Sequence, residues 1–244
     1  MIIQQSLVIQ CLLVLAGGFG TRLRSVVADR PKPLAPVNGR PFIEYLIESW
    51  VAAGQREFIF LLHHQADLVI KYLRGLEYTV LRGCVYSTII EHTPLDTGGA
   101  VAHGVHEAGL ERGFLVANAD TWLGSGLAAV QGTSWPCLAV LHVPDTSRYG
   151  RVQFDDSGLV TGFVEKQAAS GPGWINAGLY HLHPEQFASW DGTAFSLEQA
   201  LFPRLVERQA LRAVCLDTDF IDIGIPEDYQ RFQNWIETGG KKPL

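Results

Sequence analysis

Apolar positions along this chain fall into two spacings that alternate through its first half. Residues 7–15 form an apolar run that only Gln10 interrupts, and residues 58–62, 114–117 and 138–143 are shorter runs of the same kind. Runs of this length predict buried strands. Between them the period lengthens. Residues 41–54 set Phe42, Tyr45, Leu46, Trp50 and Ala53 on one helical face, with Pro41 suited to the first helical position and Gly54 to the C-terminal cap. Residues 66–73 repeat that spacing, and Thr97 predicts the cap of a helix running to Ala108, with Gly98 and Gly99 in its first turn. Residues 78–81 and 85–90 are two further predicted strands, broken at Arg82-Gly83.

Beyond about residue 145 the pattern changes. Residues 151–154 and 159–164 flank Asp155-Asp156-Ser157-Gly158 as the strands of a hairpin would. Residues 174–180, 211–216 and 220–223 predict short strands. Ser196-Leu197-Glu198-Gln199 has the form of a capping box, and Pro226 opens a closing helix through Ile236. Strands alternating with helices predict an α/β fold, a Rossmann-like three-layer sandwich with a mostly parallel, mixed sheet. With no repeat, low-complexity tract or linker, residues 1–244 are expected to form a single domain. Ligands of such sheets gather beyond the carboxyl ends of the strands, where residues 17–22 and 118–120 both fall.

Composition narrows the class. Of 244 residues 47% are hydrophobic, and the formal net charge is −6. The mean hydropathy of +0.11 belongs to a globular protein with a sizeable core and not to a membrane protein. The acidity argues against nonspecific nucleic-acid binding, so neither nucleic acid nor membrane is expected as a partner. Cys11, Cys84, Cys137 and Cys215 have no CxxC or zinc spacing and are expected as small core residues in a reducing cytoplasm. The apolar start lacks the basic residues of a signal peptide and is too short to span a bilayer. His63-His64 and His181-x-His183 have no third ligand at metal spacing, and the six tryptophans are expected in the core or in a substrate wall.

The chemistry is concentrated where the first strand ends. Leu15, Ala16, Gly17, Gly18, Phe19, Gly20, Thr21 and Arg22 follow the apolar run directly, and Pro31-Lys32-Pro33 comes soon after. Glycines let backbone N–H groups approach an anion, and Arg22 and Lys32 add full charges. The stretch fits neither familiar glycine template. The dinucleotide fingerprint wants glycine where Leu23 stands, and the P-loop wants Gly-Lys-Ser/Thr. A triphosphate held by another design is the remaining reading. Asp120, immediately after an apolar run, and Asp222, between apolar neighbours, are candidate ligands for Mg²⁺, which takes one or two carboxylates plus substrate phosphates. Each is equally suited to closing a turn.

Leu-Ala-Gly-Gly-Phe-Gly-Thr-Arg-Leu at residues 15–23, followed by Pro31-Lys32-Pro33-Leu34, resembles the signature of the sugar-phosphate nucleotidyltransferases. The resemblance extends through residues 91–100, 118–120, 163–166, 175–178 and 220–229. It implies a nucleotide-diphospho-sugar transferase fold and an enzyme that joins a nucleoside triphosphate to a sugar 1-phosphate with release of pyrophosphate. It also implies that residues 15–18, Gly20, Thr21 and Arg22 bind the nucleotide, with Arg22 on the leaving pyrophosphate and Lys32 on the α-phosphate. Asp96, Thr97 and Gly98 would face the base. Gly150, Glu165 and Asn176 would contact the sugar, and Lys166 would bind its phosphate, in a sugar subregion of about residues 145–195. Asp120 and Asp222 would hold Mg²⁺.

Two departures stand out. Ala119 replaces the glycine of the family's Asn/Asp-Gly-Asp motif, and Asp96 stands where many relatives have glycine. Phe195-Ser196-Leu197-Glu198 and residues 220–229 resemble bacterial guanylyltransferases acting on D-glycero-α-D-manno-heptose 1-phosphate. That implies GTP as the nucleotide and a cytoplasmic role in supplying GDP-heptose to capsule, S-layer or lipopolysaccharide glycans. Mannose 1-phosphate with GTP, N-acetylmuramate 1-phosphate with UTP, and a catalytically silent nucleotide sensor stay open at this point, as does a homodimer.

Overall fold

A computed structural model describes residues 10–23, 25–27, 29–164 and 171–240. The order begins with β1 (Leu12–Leu15), tight turns at Thr21–Leu23 and Lys32–Leu34, β2 (Pro36–Val37), β3 (Arg40–Pro41) and α1 (Phe42–Ala52). It continues with β4 (Glu57–Leu62), α2 (Ala66–Gly75), β5 (Val85–Ile90), α3 (Asp96–Glu107), β6 (Phe114–Asn118), β7 (Thr121–Leu123) and α4 (Leu127–Gly132). Then come β8 (Cys137–Val143), β9 (Arg151–Phe154), β10 (Val160–Val164), β11 (Gly173–Leu182) and α5 (Phe202–Glu207), which a wider helical turn at Leu197–Leu201 leads into. Last are β12 (Arg212–Leu216), β13 (Phe220–Asp222) and α6 (Pro226–Glu237).

Seven strands form one sheet in the order β12-β8-β11-β6-β1-β4-β5. Only β11 runs antiparallel to its neighbours in that sheet, and the other pairings are parallel. Strand alternation divides the core. Leu12 and Val14 of β1 and Phe58, Phe60 and Leu62 of β4 point to one side, where α1, α2 and α6 cover them. Leu13, Ile59 and Leu61 point to the other, under α3 and α5. The result is the three-layer α/β sandwich with a mixed, mostly parallel sheet that the alternation predicts.

Local departures have local causes. Residues 78–81 are not a strand. Thr79 and Leu81 N–H both bond back to Leu76 O, so the segment coils as turns and leaves Tyr78 86% exposed. Pro41 stays extended, just before α1, because β3 pairs it with Pro36. Thr97 does not cap its own helix; α3 starts at Asp96, whose φ of 58° is left-handed. Ser196 does cap its helix, accepting from Glu198 and Gln199 N–H. Among the cysteines only Cys137 is fully buried, and Cys215 is exposed on β12.

One pairing draws distant parts of the chain to the same place. β7, too short to show a pattern, lies antiparallel to β13, with Thr121 opposite Asp222 and Leu123 opposite Phe220. This joins Asp120 to a residue about 100 positions later. α6 clamps the pair: Phe232, 0% exposed, meets the rings of Phe42 at 5.1 Å and Trp122 at 5.8 Å. Phe232→Ala should therefore cost about 3–5 kcal/mol of stability through lost burial and a residual cavity. Urea unfolding followed by circular dichroism checks the figure; a loss under about 1 kcal/mol would deny α6 this role.

Candidate active site

Parallel strands β1, β4, β5 and β6 end on the same edge of the sheet, and the residues that follow them enclose a cavity of about 510 Å³. After β1 come Ala16, Gly17, Gly18 and Phe19; after β4, His63; after β5, Glu91; after β6, Ala119 and Asp120. The loop presses directly on its neighbours. A Cβ on Gly17 would lie 3.1 Å from His63 and 3.2 Å from Glu91 Oε1. Gly20 needs its φ of +60° to turn the chain toward Arg22. No described acceptor takes the N–H groups of Gly17, Gly18 or Phe19, which leaves donors for an anion.

A second cavity, of about 410 Å³, opens on the other side of Asn118 and Asp120, the two residues that line both spaces. Its walls include Arg22, Arg148, Gly150, Asn176, Glu198 and Asp222. β11 bends there. The register shifts between Asn176 and Tyr180, and Asn176 Oδ1 accepts Gly178 N–H at 2.9 Å. Arg148 donates to Asp228, which is buried in the first turn of α6, and its guanidinium lies 5.1 Å from the Tyr149 ring.

Charge is focused where the cavities meet. Lys32 Nζ, with its side chain only 10% exposed, lies 2.5 Å from Asp120 Oδ2 and 3.7 Å from Asp222 Oδ1. Burial opposes ionisation of Asp120, but the Lys32 ammonium outweighs it and holds the carboxyl below its ordinary range. Asp222 is pushed the other way, by burial first and then by the negative charge of Asp120. Two carboxylates sharing one ammonium favour further positive charge. Their oxygens suit a hard divalent cation, so the donor set fits the expected Mg²⁺. Among the described residues no group of three or more His, Cys, Asp or Glu gathers as a metal site, so phosphate oxygens would have to complete the coordination. Glu91 is a third acid of note: burial raises its carboxyl, although Leu95 N–H donates to Oε2 at 2.9 Å.

The structure brings most of the predicted residues together. Leu15, Ala16, Gly17, Gly18, Lys32, Asp96, Thr97 and Asp120 line the first cavity, and Gly150, Asn176 and Asp222 line the second. Arg22 faces the second cavity and not the first. Gly20 and Thr21 line neither. Gly98 is buried, its N–H bonded to Phe195 O at 2.8 Å, so it is turned away from the space beside Asp96. Glu165 and Lys166 lie outside the described residues. Ala119 fits without strain: it is 1% exposed and its N–H bonds Leu15 O. No tryptophan lines either cavity, and only Trp50 of the six is buried. Sequence reasoning placed Asn118 at the crevice and Glu198 in a capping box without giving either a site role, and gave His63 none. A cap motif explains Glu198 without a ligand, and a histidine just after a strand carries no local signature.

Comparison with known proteins agrees with this geometry. A family model described as nucleotidyl transferase matches residues 12–239. A D-glycero-alpha-D-manno-heptose 1-phosphate guanylyltransferase from Campylobacter jejuni is 36% identical over 222 residues, covering 90% of this chain and 97% of that enzyme. The mannose-1-phosphate guanylyltransferase catalytic subunit beta of Drosophila pseudoobscura is 31% identical over 228 residues, and the match spans 60% of that longer subunit. The crystal structure of HddC from Yersinia pseudotuberculosis complexed with GMP-PN superposes with a TM-score of 0.79 at 31% identity, over 93% of this chain and 99% of that one. A match running from β1 to just past α6, on a shared fold, establishes that this chain belongs to the nucleotidyl transferase family.

Proposed function

We propose that this protein transfers GMP from GTP to D-glycero-α-D-manno-heptose 1-phosphate, giving GDP-heptose and pyrophosphate. The observation that carries the reading is the pair of cavities that meet at Asn118 and Asp120, one walled by the glycine loop and the other by Gly150 and Asn176. The guanylyltransferase from C. jejuni, similar over nearly its full length, supports the choice of substrates. So does the GMP-PN complex of HddC. On this reading the chain is one catalytic domain, with residues 145–195 serving the sugar phosphate. The reaction is placed in the cytoplasm and supplies activated heptose to surface glycans. Among the described residues no helix is long and apolar enough to cross a membrane.

A phosphate oxygen of the sugar 1-phosphate attacks the α-phosphorus of GTP in line. The new P–O bond forms as the bond to the bridging oxygen breaks, and that oxygen leaves with pyrophosphate. The nucleophile is already ionised at neutral pH, so no general base is required. Catalysis is positioning and charge stabilisation. Free N–H groups of Gly17, Gly18 and Phe19 hold the triphosphate. Lys32 stabilises charge around the α-phosphate, Arg22 meets phosphate oxygens at the junction, and Lys166 guides the attacking phosphate. Enzymes of this family generally use a divalent metal. Asp120 and Asp222 would hold Mg²⁺, which supplies positive charge to the phosphate oxygens when bound.

For the base, Glu91 is better placed than Asp96. Asp96 is exposed and turns Oδ1 to its neighbour's N–H at 2.7 Å. Glu91 is 7% exposed, borders the first cavity, and has Oε1 free of any described donor. A carboxylate there accepts from guanine N1–H and N2–H.

Pyrophosphate release across a matrix of triphosphates and sugar 1-phosphates tests the reaction. GTP with the heptose 1-phosphate should be fastest, and EDTA should stop it. Faster release with mannose 1-phosphate would move the assignment to that sugar, and no release with any pair would leave a silent binder. Lys32→Ala should lower kcat about 10²–10³-fold with unchanged circular dichroism; wild-type turnover would remove Lys32 from the chemistry. Glu91→Gln should cut kcat/KM for GTP about tenfold, whereas Asp96→Asn should change it little. The reverse ranking would return base reading to Asp96.

A further inference from the structure

A hydroxyl joins the two cavities. Thr97 lines the first and Glu198 the second, and Thr97 Oγ1 donates to Glu198 Oε2 at 2.8 Å. The same oxygen accepts Leu197 N–H at 2.9 Å. Ser196 Oγ is a second donor to Oε2, at 2.8 Å. Tyr180 Oη donates to Oε1 at a longer 3.4 Å. The Tyr180 phenol is 0% exposed and stays protonated, its pKa driven well up by burial and then by the charge of Glu198. Asn176 Nδ2 in turn donates to Tyr180 Oη at 3.0 Å, which returns the chain of contacts to the wall of the second cavity.

Backbone bonds fasten the same two segments. Gly98 and Gly99 N–H donate to Phe195 O at 2.8 and 3.0 Å, and Phe195 N–H donates to Leu95 O at 3.1 Å. The approach depends on glycine, since a Cβ on Gly98 would lie 2.2 Å from the Phe195 ring. The first turn of α3 and the segment carrying Glu198 are therefore joined by backbone as well as side-chain bonds. Glu198 itself is exposed, so without these hydroxyls its carboxylate has little to keep it over the second cavity.

We propose that Thr97 is a positioning residue that couples the two substrate sites through Glu198. The inference rests on reading the first cavity as the nucleotide side and the second as the sugar side. A nucleotide seated against Asp96 and Thr97 steadies the start of α3. Thr97 then steadies Glu198, whose Oε1 has acceptor capacity left for a sugar hydroxyl. Such coupling is reciprocal, so each substrate tightens the other.

Thr97→Val removes the hydroxyl at nearly constant volume, and Thr97→Ser keeps it. Steady-state kinetics with GTP and the heptose 1-phosphate should show the KM for sugar phosphate rising about tenfold in T97V, the loss expected for a hydrogen bond to a charged group. The KM for GTP at saturating sugar phosphate should rise by a similar factor, because the coupling is reciprocal, and T97S should behave as wild type. Calorimetric titration of the sugar phosphate should show tighter binding to wild type in the presence of a non-hydrolysable GTP analogue, and most of that gain should be absent in T97V. Wild-type turnover with an unchanged sugar KM in T97V would overturn the coupling alone. So would a rise confined to one substrate, or a fall in kcat only. Absence of wild-type turnover with every substrate pair would overturn the underlying reading, and the coupling with it.

Discussion

Lys32, Asp120 and Asp222 form the contact on which the rest of the site depends. Two carboxylates are drawn together by the β7–β13 ladder and face a single ammonium at 2.5 and 3.7 Å. Burial, and then the negative charge of Asp120, raise the Asp222 carboxyl, whereas at Asp120 the Lys32 ammonium outweighs burial and holds the carboxyl low. A cluster of this composition is poised for exchange. On the proposed reading, a divalent ion held by the two acids would leave the Lys32 ammonium to meet the substrate's phosphate.

The sheet explains why this contact lies between two spaces and not at the end of one. β6 delivers Asn118 and Asp120 to the edge where β1, β4 and β5 also end. β11 lies beside β6 in the opposite direction, so it brings Asn176 to that edge from the other side, and its bulge opens the wall there. A reaction between two phosphates needs both reactants at one point. A parallel sheet with a single reversed strand supplies two walls that share it.

How legible this was depended on whether a residue's role is written locally. The glycine loop, Lys32 and Asp120 were readable because a contiguous motif follows a strong apolar run, and that order fixes their place at a strand end. Asp222 was readable as an acid among apolar neighbours, but its partner strand β7 was not, since three half-buried residues have no period. Residues 78–81 misled because a four-residue stretch of strand-forming side chains is satisfied as well by turns as by a ladder. Thr97 and Glu198 were read as cap residues for another reason. Their bonds span about 100 residues, and a hydroxyl in the first turn of a helix looks like a cap whichever partner it finds. Asp96 shows the limit of composition: its φ is left-handed, a conformation that suits glycine, and its side chain turns out to serve the Thr97 N–H.

The β7–β13 ladder also orders events during synthesis of the chain. All residues lining the first cavity fall between Leu15 and Asp120, whereas the second needs Phe220 and Asp222. At ordinary translation speeds about 5–20 s separate the emergence of Asp120 from that of its partner acid. A nascent chain thus owns every residue of the glycine-loop wall before it owns the second carboxylate. Any product truncated ahead of β13 would carry the residues of the glycine-loop wall but lack the second acid and the helix that clamps it.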